Sequence, residues 1–141
     1  ADVLEWTEGR ALVGTGSPFA PVTIGTDVHT ITQVNNLYLF PGLGRGVVAV
    51  GARRVSDSML SAAATAIGSV APLDAASPTT LLPPLARVTE VADAVALAVA
   101  RQAVAEGLAD PLDDEHIAKA VEAHKWRAQY RDSMHAAGLV T

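Results

Sequence analysis

Residues 88–106 read VTEVADAVALAVARQAVAE, and this stretch predicts the most clearly marked helix of the chain. Its apolar side chains recur with the 3.6-residue period of an amphipathic helix, at Val88, Val91, Ala92, Val95, Val99 and Ala103. Gly107 follows at the position where a left-handed glycine commonly ends a helix, and Pro111 lies just beyond. A helix with such an apolar face requires other elements to pack against it.

The composition favours helices as those other elements. Hydrophobic residues make up 50% of the 141-residue chain, but the aromatic residues are only two Phe, two Trp and two Tyr. An interior rich in alanine and valine suits closely packed helices better than the thick core of a β-sandwich. We therefore predict a mainly α chain with a small β part.

Two helices are predicted on the N-terminal side of residues 88–106. The first covers residues 46–54. The second is capped by Ser56 or Asp57, runs through the alanine-rich residues 59–67 and stops at Gly68.

The remaining C-terminal elements are a connection, a helix and a tail. Residues 71–84 contain four prolines and little periodicity, which predicts a surface connection. The acidic residues 113–115 suit the N-terminus of a last helix that runs to about Lys125. Residues 126–141 are predicted to be a C-terminal tail.

The first 40 residues are predicted to hold the β part. Residues 21–24 and 28–32 are rich in β-branched side chains and flank Gly25-Thr26-Asp27, a pattern typical of a hairpin. Residues 10–15 form another short apolar run. Residues 37–40 predict either one more strand or the entry to a helix.

The chain begins with what resembles the last turns of a helix. Val3, Leu4 and Trp6 are apolar, and Gly9 is placed to end the helix. Because no initiator Met precedes them, we expect a fragment of a longer protein. The alternative is a processed N-terminus followed by a short helix.

Charge and cysteine content exclude several function classes. The net charge is −5 and the ten Lys and Arg residues are scattered, which disfavours nucleic-acid binding. No cysteine is present, so disulfides, thiolate metal sites and a cysteine nucleophile are excluded. The longest apolar runs, residues 47–52 and 94–100, are far shorter than the roughly 20 residues that span a bilayer. We expect no membrane segment, no signal peptide and a cytoplasmic location.

The glycine cluster in residues 42–46, GLGRG, superficially matches a dinucleotide-binding turn. That turn has its third glycine three residues after the second, where this chain has Val47, and no suitably placed acidic residue follows. Close helix packing through small residues is the better interpretation. The four histidines, His29, His116, His124 and His135, lack the spacing of a helical metal site.

Asn35 and Asn36 are adjacent amides in an apolar neighbourhood. A buried amide without a partner costs about 1–3 kcal/mol, so backbone or a ligand must satisfy the pair. Because a carboxamide both donates and accepts, it suits a substrate that carries carboxylates and a hydroxyl. Taken alone, such a pair more often forms a turn or a cap than a binding site.

Several segments in order resemble the consecutive motifs of malic enzymes. They are residues 6–12 (WTEGRAL), 14–19 (GTGSPF), 33–42 (QVNNLYLFPG), 52–59 (ARRVSDSM) and 82–85 (LPPL). Residues 126–130 (WRAQY) are similar to the tail of the large-subunit type. The resemblance covers most of residues 3–131.

The resemblance implies a fold. Residues 1–36 would end a doubly wound, Rossmann-like NAD(P)-binding domain with short strands and a hairpin. Residues 37–125 would be a helical segment that returns to the substrate domain.

It also implies an activity, the oxidative decarboxylation of malate to pyruvate and CO2 with NAD or NADP and with Mg or Mn. Asn35 and Asn36 would contact the substrate and lie beside the nicotinamide, and Gly16 would pass close to the cofactor. The family's catalytic Tyr and Lys, its metal ligands and its glycine-rich turn lie upstream of this chain. We therefore expect the chain alone to be inactive, to need the remainder of the enzyme and to belong to a homo-oligomer.

The resemblance leaves two alternative functions open, and two residues differ from those usual in the family. A malolactic enzyme shares these motifs, and a non-catalytic helical interaction module derived from the family would retain the fold. Val34 stands where the family usually has Gly, and Arg45 stands where an apolar residue is common.

Overall fold

The computed structural model describes residues 1–71 and 81–127 of the chain. Helices dominate and strands are few, as predicted. The α-helices are α1 (Asp2–Trp6), α2 (Phe40–Ala49), α3 (Asp57–Val70), α4 (Val88–Ala105) and α5 (Asp114–Ala123). The strands are β1 (Gly14–Thr15), β2 (Val22–Ile24), β3 (Asp27–His29) and β4 (Thr32–Gln33), and short 3-10 turns cover Asn36–Tyr38 and Leu85–Arg87.

Helix α4 is the centre of the core and confirms the prediction for residues 88–106. Six of its side chains are fully excluded from solvent: Val91, Val95, Ala96, Val99, Ala100 and Ala103. Helices α2 and α3 pack along it, and α5 adds Ile117 and Val121 to the same cluster. Gly107 adopts φ +66° just after the helix, the left-handed conformation expected of a glycine at a helix end.

Helix α2 begins earlier than the sequence pattern predicts. It spans Phe40–Ala49 rather than residues 46–54, so that prediction is wrong at both ends. Pro41 occupies the first turn, where its missing N–H breaks no helical hydrogen bond. Pro41 is therefore compatible with the start of α2 and does not prevent the helix from forming there. Gly51, with φ +64°, follows its C-terminus.

Helix α3 has the predicted cap but a later end. The Ser56 hydroxyl accepts a hydrogen bond from the Met59 amide at 3.2 Å, which makes Ser56 the N-cap and Asp57 the first helical residue. Gly68 does not stop the helix, which continues to Val70. A glycine weakens a helix interior by about 1 kcal/mol but does not break its hydrogen bonds. Of the proline-rich connection, residues 72–80 lie outside the described part of the chain.

Helix α5 matches its prediction closely. The Asp113 side chain accepts a hydrogen bond from the His116 amide at 2.9 Å, and this N-cap bond contributes most to lowering the pKa of Asp113 below its usual value. The helix ends at Ala123, slightly before the expected Lys125. Most of the predicted tail, residues 128–141, falls outside the described residues.

The β part consists of two separate strand pairs. Strands β2 and β3 form the predicted antiparallel hairpin, with Gly25 at φ +63° in its turn. The predicted strand over residues 28–32 is divided between β3 and β4. Strand β4 leaves the hairpin and pairs in parallel with β1, aligning Gly14 with Thr32 and Thr15 with Gln33.

The first helix ends as predicted. Leu4 of α1 is buried, and Gly9 adopts φ +74° beyond the helix. A Cβ at Gly9 would lie 2.9 Å from the ring of His29, so the glycine also permits close approach of the hairpin. Among residues 1–71 and 81–127, each helix is too short or too polar to cross a bilayer.

Candidate active-site wall

The parallel pairing of β1 and β4 brings two distant parts of the sequence to one edge. Both strands run in the same direction, and the Val34 amide extends the ladder by donating to the Thr15 carbonyl at 2.8 Å. Gly16 therefore leaves β1 beside the point where Asn35 and Asn36 leave β4. Crevices at the carboxyl ends of parallel strands are the usual ligand sites of open α/β sheets.

The Asn pair lies on the surface at that edge. Both residues are exposed, and Asn35 is extended, with φ −131° and ψ 145°. Its side-chain Oδ1 accepts a hydrogen bond from the Leu37 amide at 2.9 Å and so caps the 3-10 turn. Within residues 1–71 and 81–127, the Asn36 carboxamide has no hydrogen-bond partner. The capping role thus uses one oxygen of Asn35 and leaves the other amide groups accessible; the assignment of both residues to substrate stays a prediction.

Gly16 faces open space. A Cβ built on it would meet no atom within 4 Å, in contrast to Gly14, where it would lie 2.8 Å from a methyl carbon of Val34. The β-branched Val34 therefore packs against β1, and its amide still continues the strand ladder. Room beside Gly16 is compatible with a ligand that passes close to the backbone.

Buried contacts behind the Asn pair could not be foreseen from the sequence. The Tyr38 hydroxyl donates to the Pro83 carbonyl at 2.6 Å, and the Thr32 hydroxyl accepts from the Leu81 amide at 3.0 Å. Burial raises the pKa of Tyr38 above its ordinary value, so the phenol is a neutral donor. The LPPL motif of residues 82–85 is noticeable in the sequence only through its resemblance to a family motif. The folded chain shows that its Pro83 carbonyl binds Tyr38.

The glycine cluster has the packing role that its spacing predicts. A Cβ on Gly42 would lie 2.6 Å from the Cβ of Val95, and one on Gly46 would lie 2.5 Å from the Ala96 carbonyl oxygen. Both glycines therefore let α2 approach the backbone of α4. The cluster lies within a helix and does not form a phosphate-binding turn.

Arg45 of α2 forms an ion network with Asp93 of α4. Its guanidinium donates to the Asp93 carboxylate at 2.6 Å and to the Ala92 carbonyl at 3.0 Å, with only 11% of the side chain exposed. Lys125 reaches the other oxygen of Asp93 at 2.6 Å. Burial acts to raise the pKa of Asp93, but hydrogen bonds from Lys125 and Arg45 together hold it below its usual value.

Replacing Asp93 with asparagine is expected to destabilise the fold by about 2 kcal/mol. That figure lies between the effect of an exposed pair and the roughly 3–5 kcal/mol of a fully buried one, discounted for solvent screening because the carboxylate is 40% exposed. Urea unfolding measures the change. Glu115→Gln, which breaks the exposed pair with Lys119, is the control and is expected to change stability by less than about 0.5 kcal/mol.

The network also predicts the direction of a pH effect. Because the folded-state pKa of Asp93 is lowered, its contribution is present above the unfolded-state pKa and is lost as the pH falls through the folded-state pKa. The difference in stability between wild type and Asp93→Asn should therefore shrink in acid. Equal stability of the two proteins at neutral pH would contradict the assignment.

The histidines are separated in the structure. The His116 ring contacts the Asp113 carboxylate at 2.7 Å, the His124 ring contacts the Ala120 carbonyl at 2.8 Å, and His29 lies against Gly9. His135 lies outside the described residues. Across residues 1–71 and 81–127, no three His, Asp or Glu side chains converge on a common point.

Comparison with known proteins identifies the family. The family model "Malic enzyme, NAD binding domain" matches residues 1–104. The NAD-dependent malic enzyme of Shewanella denitrificans is 49% identical over 130 residues, which are 92% of this chain and 23% of that protein. The chain belongs to the malic enzyme family. It spans about a quarter of the length of the curated relatives it matches.

Solved structures agree with this assignment. The malic enzyme from Pyrococcus horikoshii Ot3 matches with a TM-score of 0.60 and 33% identity, over 84% of this chain and 26% of that one. The Entamoeba histolytica malic enzyme matches with a TM-score of 0.64 and 26% identity, over 96% of this chain and 25% of that one. The fold is therefore that of a segment of a malic enzyme.

Proposed function

We propose that this chain forms one wall of the active site of an NAD-dependent malic enzyme. The intact protein would oxidise malate to oxaloacetate by hydride transfer to NAD and then decarboxylate it to pyruvate and CO2. The observation that carries the proposal is the shared edge of β1 and β4, which presents Gly16 and the exposed amides of Asn35 and Asn36 together. The names of the relatives, NAD-dependent malic enzymes, support both the reaction and the choice of NAD.

The Asn pair has the chemistry that this substrate requires. A carboxamide N–H donates to a malate carboxylate, and its oxygen accepts from the malate hydroxyl or from the nicotinamide amide. Among residues 1–71 and 81–127, neither group of the Asn36 carboxamide has a hydrogen-bond partner, whereas Asn35 already uses its oxygen to cap the turn. We assign the main substrate contact to Asn36 and an orienting contact through the side-chain N–H2 to Asn35.

The proposal places the cofactor at this edge and the metal ion elsewhere in the enzyme. The backbone at Gly16 is not covered by other side chains, which is compatible with the proposed close approach of a cofactor. Within the described ranges 1–71 and 81–127, no group of three His, Asp or Glu side chains converges on one point. We propose that the remainder of the enzyme holds the Mg or Mn, which when bound polarises the keto group of oxaloacetate for loss of CO2.

The remainder of the enzyme is also the proposed partner of the exposed apolar side chains. Trp6 is 78% exposed, Phe19 63% and Phe40 57%, and these aromatic side chains would be covered by the remainder of the enzyme. In the proposed arrangement, residues 1–36 end the cofactor-binding domain and residues 37–125 return to the substrate domain. Association into a homo-oligomer and a cytoplasmic location complete the proposal.

Activity is expected only in the intact protein. The test incubates the 141-residue chain and the full-length enzyme separately with malate, NAD and Mn2+, and follows NADH absorbance and pyruvate formation. The full-length enzyme should produce both, and the chain alone neither, because in this proposal the catalytic Tyr and Lys and the metal ligands belong to the remainder of the enzyme. Malate turnover by the isolated chain would refute the proposal that the catalytic groups belong to the remainder of the enzyme.

The product distinguishes the alternative functions. Lactate without net NADH would indicate a malolactic enzyme, which shares the sequence motifs. Full-length protein that neither binds NAD nor consumes malate would support a non-catalytic interaction module.

A further inference from the structure

The Asn pair is flanked on both sides by hydrogen bonds to one distant segment. Thr32 precedes the pair and binds the Leu81 amide, while Tyr38 follows it and binds the Pro83 carbonyl. The two bonds join residues 49 and 45 positions apart, respectively. Residues 81–83 therefore contact both ends of the 3-10 turn Asn36–Tyr38 with its cap Asn35, here named the Asn turn.

The Tyr38 bond is buried and the Thr32 bond is partly buried, which makes both costly to lose. Thr32 is 8% exposed and Tyr38 5%, and Pro83 is among the fully buried side chains. Removing one partner of a buried hydrogen bond leaves the other unsatisfied, with a penalty that exceeds the net gain of a typical bond. The contacts at 81–83 are thus strong enough to restrict the backbone between them.

The Asn turn itself has little internal support. It is a single 3-10 turn in which the Tyr38 and Leu39 amides donate to the carbonyls of Asn35 and Asn36 at 3.2 and 3.0 Å. Short 3-10 segments have poorer hydrogen-bond geometry than α-helices, and this one is exposed at the residues that matter. The Asn35 side chain caps its start and α2 follows directly at its end, so the bonds of Thr32 and Tyr38 to residues 81–83 are the restraints that reach it from a distant segment.

We propose that Thr32 and Tyr38 are positioning residues, which act through residues 81–83 to orient the Asn35 and Asn36 carboxamides before substrate binds. The proposal rests on the function proposed for the Asn pair. Catalysis is sensitive to such orientation, because a displacement of about 1 Å at a binding group can cost about 100-fold in rate. The LPPL motif would then serve the active site without touching substrate.

The test compares Tyr38→Phe and Thr32→Val with wild type in the full-length enzyme. Each variant nearly keeps the side-chain volume and removes one of the two bonds. We expect kcat/KM for malate to fall about 10-fold in each, through kcat more than through KM, because misoriented amides bind but do not align malate. Thr32→Ser, which retains the hydroxyl, should restore most of the activity.

Ser56→Ala controls for general destabilisation. It removes the α3 cap to Met59 at a cost of about 1 kcal/mol, away from the Asn turn, and should leave kcat/KM unchanged. If Tyr38→Phe and Thr32→Val lose no more activity than Ser56→Ala at matched loss of thermal stability, the positioning role is wrong.

A second readout does not depend on malate turnover. Hydrogen exchange of the Leu37 amide, which donates to Asn35 Oδ1, should become about 10-fold faster in Tyr38→Phe and stay unchanged in Ser56→Ala. If the Leu37 amide exchanges faster in Tyr38→Phe while the wild-type enzyme does not turn over malate, the proposed function is refuted but the anchoring of the turn by Tyr38 is supported. If the Leu37 amide exchanges at the wild-type rate in Tyr38→Phe, Tyr38 does not anchor the turn, whatever the activity of the variant. If the amide exchanges faster but the variant keeps full malate activity, the anchoring does not matter for catalysis.

Discussion

Replacing Gly46 with alanine is expected to lower the free energy of unfolding by about 2–3 kcal/mol, the cost of overpacking a close helix contact. The added Cβ would lie 2.5 Å from the Ala96 carbonyl oxygen and 3.0 Å from the Val99 Cβ. Neither atom is the flexible end of a side chain, so α2 and α4 must separate or rotate. The normal benefit of alanine in a helix, about 1 kcal/mol, is too small to compensate.

Gly44→Ala is the matched control on the same helix. A Cβ added at Gly44 would meet no atom within 4 Å, so the substitution should stabilise the protein by about 0.5–1 kcal/mol through helix propensity alone. Urea unfolding of the two variants should therefore give shifts of opposite sign. A Gly46→Ala protein as stable as Gly44→Ala would show that α2 and α4 are not in close contact.

Replacing Asn36 with alanine is expected to reduce kcat/KM for malate by about 10- to 100-fold in the full-length enzyme. This range corresponds to the loss of a hydrogen bond to a charged group, about 1.5–3 kcal/mol. Asn36→Asp should cost more, because it exchanges the donor for a carboxylate beside an anionic substrate. Steady-state kinetics with varied malate measure both effects.

Stability separates this effect from misfolding. Asn36 is exposed and has no side-chain partner within the described ranges, so both substitutions should change the free energy of unfolding by less than about 0.5 kcal/mol. Gln102→Ala, near the C-terminal end of α4, should leave the kinetics unchanged. An Asn36→Ala enzyme with wild-type kcat/KM would remove the residue from the substrate site.

Local patterns in the sequence predict the elements whose stability comes from neighbours along the chain. The period of residues 88–106 predicts α4, the Gly25 turn predicts the hairpin, and Ser56 and Asp113 mark helix starts. In each case the deciding hydrogen bond or apolar face involves residues a few positions apart. The packing role of the glycine cluster follows from the absence of the spacing that a phosphate-binding turn requires.

The start of α2 is mispredicted for a physical reason. Pro41 and Gly42 are helix breakers in a helix interior, and the sequence alone does not show that they occupy its first turn. Their tolerance there comes partly from α4, since Gly42 lies against the Ala92 carbonyl oxygen and Val95. A tertiary contact thus decides where a local element begins.

The sequence predicts which residues form the candidate site, but it does not predict how they are arranged in space. Asn35 and Asn36 stand out as adjacent amides, and Gly16 as part of a family motif. Only the folded chain pairs β1 with β4, which places Gly16 beside the Asn turn, and joins Tyr38 to Pro83 behind it. Contacts between segments this far apart depend on packing of the whole core, whereas periodicity and capping depend on neighbours within one or two turns.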